Sequence, residues 1–241
     1  SGDPLTFKTF EEFYDAFMRQ YKYQINLCQE HMLVAERILA QEHQMPLFTM
    51  MTTDAIEKGE DVVAGGAILN SGPHYMLTGV ADLGDSLEVI KKLVFDDKAI
   101  TMEELLKAVT ADFEGYEDIR HMCINVPKYG NDIDEVDMLT SKALQDCAEY
   151  CATLKCGRAG NYSSAGVQPT QTNVAMGEMC WALPSGRKAL TPLADTLSAE
   201  QHMDVNGPLA ALHSYGKINH SACTNGTILN MWISKSDLVV E

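Results

Sequence analysis

The amino-acid sequence predicts an α/β fold, and two observations carry that prediction. Segments with helical periodicity alternate with short apolar runs bounded by Gly and Pro. The composition, 46% hydrophobic and 22% charged over 241 residues, is that of a globular chain with ample material for a core. No internal repeat or low-complexity linker divides the chain, so residues 1–241 are expected to form one unit.

The elements follow in order. Thr9, with Glu12 three residues on, has capping-box spacing. From Phe10 to about Gln41 no Gly or Pro intervenes, and Phe10, Phe13, Phe17 and Tyr21, then Leu27, Val34 and Ile38, recur at helical spacing. The stretch is one long helix or two abutting ones, ending before Pro46, and its aromatic stripe reads as core. Leu47–Met51 reads as a short strand, Thr53-Asp54 as the start of a short helix that Gly59 stops, and Ala64–Ala67 as a loop. Tyr75–Val80 is a second candidate strand. Asp85-Ser86 are expected to cap a helix through Val94, with Leu87, Ile90 and Val94 on one face.

Thr101 and Glu104 form another capping box before Leu105, Leu106 and Val109. After Gly115 a helical pattern resumes over Tyr116–Val126, up to Pro127. Lys128–Asp132 is a polar turn, and Asp132 or Asp134 caps a helix reaching about Lys155. From Gly157 to about Ser198 the chain is rich in Gly, Pro, Ser and Thr, so loops and short strands are expected, with a turn at Pro184–Arg187. Asn206-Gly207-Pro208 starts a helix running to about Lys217, with Pro at its first position. Gly226–Ile233 reads as a buried strand and Ser234 as the start of a final turn.

The charge balance excludes several functions. Against 34 Asp+Glu stand 18 Lys+Arg, a formal net charge of −16. Nucleic acid and anionic membrane surfaces both need a basic footprint that this chain lacks. No apolar run is long enough to span a bilayer. Seven cysteines at irregular spacing suit reduced thiols. Cys147, Cys151 and Cys156 are the closest group, but structural zinc sites favour CxxC pairs, so they read as small buried hydrophobes and no metal site is expected. Asp132/Asp134 and Asp96/Asp97 lack the calcium-loop pattern, and a solvated helix start explains them better. His121, His213 and His220 form no spacing that marks a catalytic dyad. No self-sufficient catalytic motif is present. Ser1 stands where Met would be, so a processed or excised piece is expected.

Several strings carry a family resemblance. Val126–Asp132 with Asp134, Val136 and Asp137 resembles the PKYGNDxDxVD signature of glycyl radical enzymes, the pyruvate formate-lyase-like proteins. Ala182–Ala189 resembles their TPDGRKA segment, and Thr191–Asp195 their PLADG. Asp204 to Pro208 with Ser214 and Lys217 matches DxxGPTA…SxxK, and Asn225–Thr227 with Asn230 matches NGTLxN. Upstream, Asp61-Val62, Gly65–Ala67 and Asn70 match DxxxGGAxYN. Asp85–Leu87 with Ile90–Val94 matches DSLxAIKKLV, and Gly2-Asp3 and Phe7–Phe13 also fit. The strings run in consistent order along essentially the whole chain. Ser185 replaces an Asp, Thr196 a Gly and Leu209 a Thr of the family pattern.

What the resemblance implies is radical chemistry inside a ten-stranded α/β barrel. A glycyl radical on a loop near the C-terminus takes a hydrogen from a cysteine on an opposing loop, and the thiyl radical then attacks substrate. The GCxE cysteine loop and the RVxGY glycine loop are both absent from this chain, so no catalytic residue is expected within it. By resemblance it is the segment between them, a partial barrel domain that exposes barrel-facing apolar surface. The stretch Arg158–Tyr162 through Asn173 corresponds to the late strand that contacts substrate in dehydratase-like members. That makes Tyr162 and Gln168 the substrate-binding candidates, with Asn70 a further one. Loop packing is the equally weighted alternative for Tyr162 and Gln168. The resemblance is nearer to the hydroxyproline and diol dehydratases and the arylacetate decarboxylases than to pyruvate formate-lyase, and a dehydratase is favoured. The rival of another class is a catalytically silent fragment or binding domain. The implied partner is a radical-SAM activating enzyme, which installs the radical; no dissociable cofactor binds directly, and a homodimer is common in the family. The implied setting is an anaerobic bacterial cytoplasm, with a microcompartment as one option.

Overall fold

Residues 2–157, 161–169 and 171–233 are described by the structure, a computed structural model. The expectations for Arg158, Ala159, Gly160 and the turn at Ser234 lie outside these residues. Thr9 caps α1 (Phe10–Glu42), its side chain accepting the Glu12 N–H. At 33 residues this is one continuous helix, about 50 Å long. Its first turns bury Tyr14, Ala16 and Met18, and further along Gln29 reaches across to the back of the sheet.

Leu47–Met51 is not a strand. It lies in α2 (Pro46–Met51), with Pro46 opening the helix. A short apolar run does not by itself separate strand from helix, and here the neighbouring proline decides. Next come α3 (Ala55–Lys58), stopped by Gly59 at φ 66, and a loop that reaches β1 (His74–Met76). The expected strand Tyr75–Val80 is shorter and earlier, because Gly79 starts the following helix.

That helix, α4 (Val80–Val89), continues as a π-helical turn over Ile90–Asp96. Asp85 and Ser86 are therefore mid-helix and buried, not caps. Their turn-forming preference is overridden by tertiary partners: the Asp85 carboxylate accepts the Tyr129 N–H at 2.8 Å. α5 (Met102–Thr110) carries the complete Thr101–Glu104 capping box, and α6 (Glu117–Asn125) follows Gly115. α7 (Asp134–Cys151) begins one residue after its N-cap, Ile133, so Asp134 supplies negative charge to the first turn and does not cap it.

Helices α4 and α7 pack closely through Gly84. A Cβ there would lie 1.9 Å from Thr140 Oγ1 and 2.8 Å from Thr140 Cβ. Gly84→Ala is therefore expected to cost about 3 kcal/mol through overpacking. A thermal midpoint unchanged from the parent would contradict this contact.

β2 (Ser164–Gly166) pairs parallel with β1 in the register His74↔Ser164, Tyr75↔Ala165 and Met76↔Gly166. Thr227 bridges Val167 in parallel, and Tyr162 bridges Lys155 antiparallel. Gly226–Ile233 is not a buried strand: apart from that bridge it is irregular, and Trp232 is 99% exposed. α8 (Thr172–Met179) arises inside the region expected to be loops and short strands, despite its weak apolar periodicity. α9 (Pro208–Gly216) starts at the expected proline.

One face of the sheet is the core face. Tyr75, Ala165 and Val167 pack there against Val136, Leu144 and Cys151. Large apolar side chains elsewhere are exposed, including Leu47, Met51 and Leu69. No helix among the described residues is long and apolar enough to cross a membrane.

Candidate functional site

Side-chain alternation along the two strands defines the site. Tyr75, Ser163, Ala165 and Val167 point into the core. His74, Met76, Tyr162, Ser164 and Gln168 alternate with them and occupy the opposite, open face, where Tyr162 is 53% exposed. The structure thus brings Tyr162 and Gln168 onto one face. They lie about 20 Å apart along the strand, at roughly 3.3 Å per residue.

Their surroundings differ. Tyr162 is held by its backbone, its carbonyl accepting the Gly72 N–H at 3.3 Å, and its ring lies under the Lys155 ammonium. A side chain at residue 72 would strike the Tyr162 carbonyl, which is why glycine stands there. The Gln168 amide nitrogen donates to the Asn225 carbonyl, next to the Gly226 turn. Asn70 spends its amide N–H groups on its own loop, donating to Gly65 O at 3.0 Å and Ala67 O at 2.9 Å, while its backbone carbonyl accepts from Asn161. These contacts join the 65–72 loop to the start of the second strand.

His74 escaped the sequence reading. Its ring lies over Gly166, where a Cβ would come within 3.0 Å of Cε1, and Nδ1 sits 3.5 Å from Ser164 Oγ. Burial lowers its basicity, so the neutral imidazole is favoured. Its alternation with Tyr75 and Met76 was the available signal.

Beneath α4 lies a buried charged network that fixes the turns carrying the family strings. Lys128, 5% exposed, donates to Cys123 O at 2.8 Å and Ser185 O at 3.0 Å. Burial lowers its pKa, opposed by the charges of Asp85 and Glu200. Arg187 donates to the carbonyls of Trp181, Gly177 and Thr191, and its Nε lies 3.9 Å from Asp82. Ser185, in place of the family's Asp, donates its hydroxyl to Glu200 at 3.2 Å. A carboxylate at 185 would add charge to a site already holding Asp82, Asp85 and Glu200, whose pKa values burial raises. The turn expected at Lys128–Asp132 is held by this network, and Asn131 adds bonds to the carbonyls of Lys128 and Met203.

A second tie explains the pairing of the Asp-rich string with Ser214 and Lys217. Lys217 Nζ reaches Asp132 at 2.6 Å, Asp134 at 2.7 Å and Asp137 at 3.0 Å, while Ser214 Oγ donates to Asp137. An ammonium occupies the space between these carboxylates. Among the described residues no group of three or more His, Cys, Asp or Glu is placed to hold a metal ion.

Burial favours the protonated form of four of the thiols. Burial pushes Cys147 up to about 12 and Cys123 and Cys223 to about 11, and raises Cys151. Cys147, Cys151 and Cys156 are all buried, as expected of small hydrophobes.

The family model described as Pyruvate formate lyase-like matches residues 1–177. The chain belongs to this family, the glycyl radical enzymes. Trans-4-hydroxy-L-proline dehydratase of Clostridioides difficile is 36% identical over 98% of the chain and 30% of that protein. Isethionate sulfite-lyase of Oleidesulfovibrio alaskensis is 33% identical over 89% of the chain and 26% of the relative. Among solved structures, that of the Roseburia inulinivorans protein described for 1,2-propanediol dehydration aligns with a TM-score of 0.92 and 36% identity, over 95% of this chain and 30% of the other. These similarities place the chain in the dehydratase branch of the glycyl radical enzymes. The chain spans about 30% of the length of these relatives, or less.

Proposed function

We propose that this chain is the stretch of a glycyl radical lyase lying between its cysteine loop and its glycine loop, and that the whole protein breaks a C–O or C–S bond in a small metabolite. The similarity to a hydroxyproline dehydratase over 98% of the chain is the observation that carries this reading. In it, residues 1–241 form part of one barrel domain, whose lumen is lined by the open face of β1 and β2. The core face then packs outward against α1 and α7, as Tyr75 and Gln29 do.

Tyr162 and Gln168 are the proposed substrate contacts. A phenol and an amide orient a polar substrate by hydrogen bonds without taking or giving charge near neutral pH. Asn70 offers its side-chain oxygen from the rim. The buried network around Lys128 and Arg187 keeps the walls rigid, and a closed, dry chamber protects a radical from water and oxygen. The proposed partner is a radical-SAM activating enzyme, which generates the glycyl radical. A homodimer and an anaerobic cytoplasmic setting, with or without a microcompartment, complete the reading.

The direct test is the flanking coding sequence. A GCxE string encoded before residue 1 and an RVxGY string encoded after residue 241 are expected. Intact flanks with both strings absent would overturn the proposal in favour of a silent or binding role.

A further inference from the structure

The second half of α1 makes its deepest contacts through polar side chains. Beyond Met18 the buried residues of this helix are Gln29 and Glu36, while Leu27, Val34, Ile38 and Leu39 are exposed. Gln29 and Glu36 stand seven positions apart and so share one face of the helix. Gln29 is 7% exposed, and both ends of its side-chain amide are used. Oε1 accepts the Tyr75 hydroxyl and, at 3.1 Å, the Ser163 hydroxyl. Nε2 donates to the Lys155 carbonyl at 2.7 Å. One turn-pair along, Glu36 accepts the Gly157 N–H at 2.8 Å. The helix therefore grips three backbone segments from behind the sheet: β1, the residue before β2, and the segment over 155–157.

Each residue that Gln29 holds adjoins the open face. Tyr75 lies between His74 and Met76, and Ser163 between Tyr162 and Ser164. Lys155 is bridged directly to Tyr162. The two paired strands are short, His74–Met76 and Ser164–Gly166, and a two-stranded ladder of that length holds its own spacing weakly. A buried amide is costly unless its groups are bonded, and an apolar side chain would fill the same space without that cost. What the bonded amide adds is direction and distance, because hydrogen bonds are lost when their geometry drifts.

From this geometry we infer that Gln29 is a positioning residue for the candidate site, a clamp behind the sheet that sets the separation of β1 and β2 and with it the placement of Tyr162 and His74 on the open face. The inference rests on the reading that the open face lines the chamber. Gln29 lies on the other side of the sheet and touches no substrate. A misplacement of about 1 Å at a reacting centre costs up to about a hundredfold in rate, so a clamp behind the wall acts on turnover. Gln29→Met keeps length and volume but removes the bonds to Tyr75, Ser163 and Lys155, whereas Ser163→Ala removes one of them.

The test uses the full-length protein with meta-fluorotyrosine placed at Tyr162 or, as a control, at Tyr116, which packs in the separate cluster around α5 and α6. Gln29→Met is expected to shift or broaden the fluorine resonance at 162 by more than its linewidth and to leave that at 116 unchanged. Ser163→Ala should move the 162 resonance in the same direction by less, and should add nothing further in the Gln29→Met background. An unmoved resonance at 162 would overturn the inference, and so would an equal change at 116, which marks general loosening. Where Gln29→Met does not fold, Ser163→Ala decides by the same two resonances. Activity is the second readout, with propane-1,2-diol, glycerol, trans-4-hydroxy-L-proline and isethionate as probes and the glycyl radical quantified by electron paramagnetic resonance. Gln29→Met should lower turnover per radical at least about tenfold while the radical yield is preserved. A lower yield with turnover per radical within about twofold of the parent is what a purely structural role gives, and would overturn the inference. A parent that forms no radical, or consumes none of the probes, counts against the lyase reading instead, and the fluorine resonances then decide the clamp by themselves.

Discussion

Replacing Arg187 by methionine is expected to unfold the protein or to lower its stability by about 3–5 kcal/mol. The guanidinium is 4% exposed, and it donates to the carbonyls of Trp181 at 3.0 Å and Gly177 at 3.1 Å, and to that of Thr191. It thereby joins the end of α8, the turn at Pro184–Arg187 and the loop after it. Asp82 at 3.9 Å supplies the opposing charge and also accepts the Ala194 N–H at 2.7 Å. Methionine fills the volume but leaves these buried acceptors unpaired. Lysine should rescue poorly, because one ammonium cannot reproduce the planar fork that addresses several carbonyls. Urea unfolding of Arg187→Met and Arg187→Lys beside the parent checks both statements; a methionine variant within 1 kcal/mol of the parent, an about-fivefold change in equilibrium, would contradict them.

The second large effect is on pH dependence. Burial pushes Glu88 and Glu200 up to about 7, and raises Asp82 and Asp85 as well. The groups facing them are Lys128 and Arg187 from the two turns, and Lys91, Lys92, Asp96 and Glu135 around Glu88. In the unfolded chain a glutamate titrates near 4.3. The folded state therefore binds more protons between about 4.3 and 7, so the stabilisation is complete below the unfolded value and is lost as pH rises to about 7. Each glutamate contributes on the order of 3 kcal/mol to that slope. His74, whose pKa burial lowers, acts in the opposite sense as pH falls through 6.5. Asp132, lowered by its bonds to Lys217 and His213, adds stability that is lost only in stronger acid. The expected urea midpoint is therefore higher at pH 5.5 than at pH 8, and Glu88→Gln with Glu200→Gln should flatten the difference. A midpoint that stays level or rises from pH 5.5 to pH 8 would show that these carboxylates are ionised in the folded protein.

The sequence revealed some parts of this structure directly because local chemistry decides them. Thr9, the Thr101–Glu104 box, Gly59 and Pro208 set helix ends within a residue or so, since each acts through its own backbone neighbours. The errors arose where a distant partner overrides local preference. Asp85 and Ser86 look like caps but sit inside α4, satisfied by the turn at Tyr129 and by the Ser185 N–H. Leu47–Met51 was ambiguous by periodicity, and Pro46 turned it helical. Gly226–Ile233 has the apolar content of a strand, yet its only recorded bridge among the described residues is Thr227 to Val167.

The candidate site divides in the same way. Tyr162 and Gln168 were reached through family strings, and side-chain alternation places both on one face. His74 was not flagged, although its strand neighbours share the same alternation. The substitutions that depart from the family pattern also acquire meaning only in the fold. Ser185 relieves a crowded acid cluster, whereas Thr196 holds a left-handed φ of 53° where the family has glycine, with its hydroxyl bonded to Asp195 O at 2.6 Å.

The central claim is that this chain is the middle of a radical enzyme and holds neither radical-bearing loop. Anaerobic incubation with the cognate radical-SAM activase, followed by electron paramagnetic resonance, tests it most directly. The full-length protein is expected to show the glycyl radical doublet and the 241-residue chain alone to show none. A doublet from the isolated chain, or its absence from the activated full-length protein, would contradict the claim.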